Sequence, residues 1–189
     1  MPDSRLQDIT NLLRQHTPFD SVEAAHLAAT LHFLETCTGN PLSRDTPDGH
    51  MTASCVAIHL NQPWMVILWH KKIGRWVQPG GHVEESDASV ADASLRELCE
   101  ETGASITAIQ KFLGIIDVDV HPIPAHKDQP EHLHYDVRFG FVMSENWEPG
   151  EYTEWMPAAD VIAKLDPPTA RLGRKVKQLH ASRAASEIP

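Results

Sequence analysis

The stretch PGGHVEESDASVADASLRELCEETGA, residues 79–104, constrains this chain more than any other part of it. Its second half has helical periodicity. Ala91, Leu95, Leu98 and Thr102 recur at three- and four-residue steps and make one face that can be buried. Ala93, Glu97, Glu100 and Glu101 are expected on the opposite side. Ser89 followed by Asp92 reads as a capping box, and Gly103 stands where a helix-ending glycine belongs. Three carboxylates on one face are costly. Like charges at this spacing cost a helix ~0.2–0.5 kcal/mol per pair, and two unit charges about 4 Å apart repel by ~4 kcal/mol at an effective dielectric of about 20. A divalent cation turns that repulsion into attraction, and hard oxygen ligands suit magnesium or manganese. Taken alone, the three glutamates also fit a solvated acidic face.

The residues around the glutamates narrow the choice. A Pro-Gly-Gly turn precedes the helix, and Arg96-Glu97-Leu98-x-Glu100-Glu101-x-Gly103-Ala104 closes it. The tract resembles the Nudix box, the signature of the Nudix hydrolase family, in which a glycine, an early glutamate and the run R-E-U-x-E-E-x-G-U follow in order (U being aliphatic). It departs from that pattern in two places: the spacer from Gly81 to Arg96 is one residue longer, and Asp87 fills the early glutamate position. The GGH opening with an aspartate looks like a bacterial subset of the family. The resemblance implies an α/β/α sandwich around a mixed β-sheet, and attack of water on phosphorus in a diphosphate joined to another group. It implies Gly81 (through its carbonyl), Glu97, Glu100 and Glu101 as ligands of Mg2+ or Mn2+. Glu97, Glu100 and Arg96 are then the candidate catalytic residues. Glu97 is assigned as general base, Glu100 as a further ligand or holder of water, and Arg96, on another helical face, as a brace of the loop through an ion pair. Cys99 is expected to be buried and is no candidate nucleophile.

Composition bounds the partners. A chain of 189 residues, 41% of them hydrophobic, fits one domain with a substantial core and a small appendage. A net charge of −10 argues against a nonspecific grip on a nucleic acid duplex or an anionic membrane. Nucleotides are small anions that a local basic pocket and a cation can hold. Cys37, Cys55 and Cys99 are odd in number and lack paired metal-ligand spacing, as expected of thiols in a reducing compartment. With no leader-like N-terminal stretch and no run of ~18 apolar residues, a cytoplasmic location is the simplest expectation.

Along the chain, residues 4–16 and 21–38 read as helices, with stripes of Leu6, Ile9, Leu12 and Leu13 and of Ala24, Leu27, Ala28, Leu31 and Leu34. Residues 1–40 are thus expected to form a helical extension, packed on the main domain or making a homodimer surface. Residues 41–189 are expected to form the Nudix-type domain, opening with a linker over 39–49. From Met51 the period changes to two, and residues 53–60 and 64–70 read as strands joined by Asn61-Gln62-Pro63. A basic tip follows, in which Lys71 and Lys72 read as solvated and Arg75 as a candidate for holding polyphosphate.

Residues 112–120 and 132–143 are two further strands. In the second, Leu133, Tyr135, Val137 and Phe139 oppose His132, His134, Asp136 and Arg138; in the first, Ile116, Val118 and Val120 oppose Asp117, Asp119 and His121. The polar rows fit a substrate-binding wall, with His134 and Arg138 as contacts, or a solvated sheet face. His132-x-His134 is compatible with a metal, but no cysteine or third histidine completes a recognisable motif. The tract from Asp117 to Phe139 again looks like the bacterial subset.

Glu151 and Glu154 are candidates for the late carboxylate that many Nudix proteins add. Trp147, Tyr152 and Trp155 are candidates for stacking on a base, although Trp155 also reads as core. Residues 160–165 read as a short helix broken by Pro167 and Pro168. Residues 169–185 read as a basic amphipathic helix with Arg171, Arg174, Lys175 and Lys177 on a solvated face.

Three functions follow. The leading one is metal-dependent hydrolysis of a nucleoside diphosphate derivative: a nucleotide sugar, a dinucleotide or a modified nucleotide. A prenyl diphosphate isomerase would use the same fold but needs a cysteine or tyrosine proton donor that no sequence feature places. A nucleotide-sensing module without turnover is expected to lose the box glutamates, and all three are present.

Overall fold

The computed structural model describes residues 3–126 and 130–186. Lys127, Asp128 and Gln129, inside the histidine-containing tract, lie outside the described residues. Two helices come first, α1 (Ser4–Gln15) and α2 (Ser21–Thr36), followed by strands β1 (Gly49–His59), β2 (Trp64–His70), β3 (Arg75–Val77) and β4 (Gly80–His82). Helix α3 (Val90–Thr102), strands β5 (Ile109–Ile123), β6 (His132–Met143) and β7 (Thr153–Pro157), and helices α4 (Ala158–Lys164) and α5 (Pro167–Ser186) complete the order. The main sheet path is β3-β2-β1-β6-β5, with β4 paired to β1 and β7 to β2. β1 and β6 are parallel and the other pairs antiparallel, so the sheet is mixed.

β1 is central because its run Met51–Ile58 is buried on both sides, as a strand covered on two faces must be. Met51, Ala53, Cys55 and Ala57 enter one core with Val137, Phe139 and Leu98; Val56 and Ile58 enter the other with Ile67, Val161 and Leu172. Helices α1, α2 and α3 contribute to the first core, α4 and α5 to the second. This is the α/β/α arrangement expected from the resemblance. Ile9, Leu13, Leu27 and Phe33 of the N-terminal helices belong to the same core as the sheet. Phe33 stacks on Tyr135 of β6 with ring centres 4.0 Å apart.

Several local expectations are corrected. β4 is a paired strand where the sequence suggested a turn, β7 pairs with β2, and β1 and β5 extend beyond 53–60 and 112–120. In β5, Ile116 packs in the second core while Val118 and Val120 face the first, because the register with β6 shifts between Ile115 and Asp117. Pro167 starts α5 instead of merely ending α4, since a first-turn proline sacrifices no helical hydrogen bond. Arg171 and Lys175 of α5 are buried in ion pairs, not solvated; Lys177 is exposed.

The candidate active site and its neighbouring histidines

The site is built on α3. The Ser89 side chain accepts a hydrogen bond from the Asp92 N–H at 3.0 Å, and Gly103 ends the helix with φ of 71°, a left-handed value that suits glycine. Val90, Ala93, Ser94, Leu98 and Thr102 are buried. Ala93 therefore lies inward, not among exposed acids, and the expected burial of Cys99 is only partial. The Ser94 hydroxyl donates to the Ser54 carbonyl at 2.8 Å and fastens the helix to β1.

This seating presses the glutamates onto β4. A Cβ added at Gly81 would collide with the Glu97 carboxylate, so only glycine permits the approach. The Gly80 N–H donates to Glu101 Oε2 at 2.8 Å. Burial first, then repulsion from Glu97 and Glu100, pushes the Glu101 carboxyl up to about 7 despite that hydrogen bond. Burial raises Glu97 as well, against the Arg96 guanidinium that favours its charged form. Glu100 is 60% exposed and lies 3.4 Å from Arg96 Nη1. Half-buried carboxylates that resist ionisation beside a backbone turn are a donor set that a hard divalent cation relieves, so the residues fit Mg2+ or Mn2+.

Arg96 ties the preceding loop together. Its Nε and Nη2 donate to the two Asp87 oxygens at 3.0 and 3.1 Å, Nη2 also to the His82 carbonyl at 2.9 Å, and Nη1 to Glu97 at 2.8 Å. Asp87 thus meets Arg96 across the lengthened spacer. The Asp87 Oδ2 also accepts the Glu84 N–H at 2.8 Å.

A cavity of about 520 Å3 opens over Gly81 and Glu97. Across it stand Arg44 of the linker and Arg5 of α1, whose Nη1 donates to the Glu84 and Asp87 carbonyls at 2.9 and 3.2 Å. Neither arginine was singled out from the sequence. Arg44 lies in a linker without periodicity and Arg5 in the first turn of a helix far off in sequence, and only folding brings them there.

Other sequence candidates lie elsewhere. Arg75 is 3.9 Å from Asp166 at the β3 edge. Glu151 is exposed in a turn, Glu154 is exposed on β7 opposite Ile67, and neither lines the cavity. Trp147 and Trp155 pack against the first core. Arg138 is corrected as an open substrate contact: it is 2% exposed, and its guanidinium is occupied by Asp136, Asp117 and Asp119 at 2.8, 3.2 and 3.1 Å. Arg171 caps two of these aspartates, Asp117 and Asp119. The polar row there is neither a wall nor a solvated face but an enclosed ion network.

His134 lies at the other end of that row, beside His50 of β1 and His82 of β4. The absence of a third histidine holds only for local sequence motifs, because the sheet brings the others from separate strands.

Residues 48–176, more than half of the chain, match the model of the NUDIX domain. The chain belongs to the NUDIX family. Among solved structures, the Ap4A hydrolase of C. elegans is similar at 15% identity, covering 68% of this chain and 96% of that one with a TM-score of 0.52. The dihydroneopterin triphosphate pyrophosphohydrolase of E. coli gives 16%, 70%, 95% and 0.49 for the same quantities. The NUDIX domain of Shewanella oneidensis NrtR, complexed with ADP ribose, gives 18%, 68%, 86% and 0.48. No curated protein matches the sequence. The NUDIX fold thus accounts for the sheet, for α3 and for the glycine strand against it. Among the described residues no helix is long and apolar enough to cross a membrane.

Proposed function

We propose that this NUDIX protein hydrolyses the diphosphate linkage of a nucleoside diphosphate derivative, with Mg2+ (or Mn2+) held by Glu97, Glu100, Glu101 and the Gly81 carbonyl. The observation that carries the reading is the Glu97–Glu101 pair pressed onto Gly80 and Gly81, with Glu97 and Gly81 lining a cavity that Arg44 also lines. When bound, such an ion neutralises phosphate charge and acidifies water.

The chain's own residues divide the remaining work. Glu97 accepts the proton of the attacking water, since its carboxylate lines the cavity directly over Gly81. Glu100 reaches from the rim to hold that water. Arg96 positions Glu97 and the 82–87 loop through its hydrogen bonds to Glu97, Asp87 and the His82 carbonyl. Arg44 replaces Arg75 as the contact to the phosphate away from the cleavage point, because it faces the cavity and Arg75 does not.

The test is release of phosphate or nucleoside monophosphate from a panel of nucleotide sugars, dinucleotides and nucleoside triphosphates with magnesium. Dinucleotides come first, given the Ap4A hydrolase of C. elegans. E101Q is expected to lower kcat by about 10²-fold or more while circular dichroism stays unchanged, and R44A to raise KM more than it lowers kcat. Turnover by the wild-type chain in excess chelator would sink the reading.

A further inference from the structure

The geometry points to a second metal site: His50, His82 and His134 bind a divalent transition ion of the zinc class, on the opposite face of β4 from the acidic helix. Neighbouring residues of a strand face opposite ways. Gly81 meets Glu97 on one side, and His82 meets the rings of His50 and His134 on the other, at 4.9 and 5.3 Å between centres. The pairing Thr52↔His82 on one edge of β1 and His50↔His134 on its other edge assembles the trio. One nitrogen from each ring lies within 4.8 Å of the other two. A tetrahedral zinc ion with bonds of about 2.0–2.1 Å needs its donors ~3.3 Å apart, so small ring rotations close the site.

The second observation is a lack of partners. His50 is 1% exposed, yet neither of its ring nitrogens has a hydrogen bond, and the buried His134 Nε2 also has none. Buried polar atoms are rarely left so, and a bound ion is one explanation for such gaps. Imidazole donors select zinc, copper, iron or nickel over magnesium.

Two neighbours support the trio. His121, 5.6 Å from His134 between ring centres, is held through Nδ1 by Asp119 at 3.1 Å. That carboxylate is shared with Arg138 and Arg171, so it orients His121 beside the trio without adding unpaired charge. His82 also borders the cavity, so an ion on three imidazoles keeps a fourth position for water or a substrate oxygen at its edge. It would also fix β4, and with it the Gly81 carbonyl, from behind.

The experiment is titration of the chelator-stripped full-length protein with Zn2+ by calorimetry, and with Co2+ followed by its visible spectrum. One ion per chain is expected, with a Co2+ spectrum of nitrogen ligation. The E97Q/E101Q double variant should retain it, while H50A and H82A should each weaken it by about a hundredfold or more. H82A, at the partly exposed cavity edge, decides the matter if H50A does not fold by circular dichroism. Absence of stoichiometric Zn2+ uptake by the wild type overturns the proposal. So does uptake lost in E97Q/E101Q but kept in folded H82A.

Discussion

At the residue scale, the missing side chain of Gly81 lets a carboxylate lie directly on backbone. In G81A the added methyl displaces Glu97. The variant is expected to bind Mn2+ at least about tenfold more weakly by calorimetry, because a ligand moved by an ångström no longer shares the ion with Glu101. Arg96 is equally demanding. Lysine cannot reproduce a planar fork engaging Asp87, Glu97 and the His82 carbonyl together. R96K should therefore speed amide hydrogen exchange across residues 80–87 and lower kcat. The acids of α3 and their arginine were legible because chemistry and helical period coincide in one contiguous tract. Arg44, Arg5, His50 and His82 were not, since each acquires its meaning from a residue on another element. Arg138 misled for the converse reason. Alternation tells which face a side chain takes, but not whether another helix will cover that face with its own charges.

Between elements, the unexpected contact is a clamp joining α2, β5 and α5. Glu23 is 0% exposed and accepts from Lys175 at 2.6 Å, from the Phe19 N–H at 2.6 Å and from the Val118 N–H at 3.2 Å, with His16 2.7 Å away. Lys175 also pairs with Asp117 at 2.6 Å. Removing one member leaves the others charged and enclosed, so E23Q should cost about 3–5 kcal/mol in urea unfolding at neutral pH. Burial would raise the Glu23 carboxyl, but the bonds from His16, Lys175 and Phe19 prevail and bring it down to about 2 from 4.5. A depressed acid stabilises above its unfolded pKa and loses that contribution as pH falls toward the folded one. The stability gap between wild type and E23Q should therefore be full above pH ~5 and shrink steadily toward pH ~2. Long elements were readable: both N-terminal helices, β2 and β6 begin where their periodicity begins. Three-residue β3 and β4 and five-residue β7 are too short for a period to declare itself, and their partners lie far off in sequence.

For the molecule as a whole, the division into a helical extension and a catalytic domain meets a shared interior. Without residues 1–40, Tyr135 loses the ring stacked on it, and Lys175 and the Val118 N–H lose Glu23. A fragment of residues 41–189 is expected to bind hydrophobic dyes and melt without a sharp transition. A soluble fragment with a cooperative melt would instead establish two separable parts. The layered architecture itself was legible from the order of helices, strands and glycine turn, because each segment's burial pattern admits few stacking solutions. Glu23 and Lys175 stand 152 positions apart, and Ser54 meets Asp136 across 82. A ribosome adding about 5–20 residues per second must therefore release nearly all of this polypeptide before its ends can meet. Until then, β1 lacks the neighbour it lies alongside in parallel. The nascent chain thus carries its oily central ribbon for seconds with one edge bare, open to whatever strand comes by first.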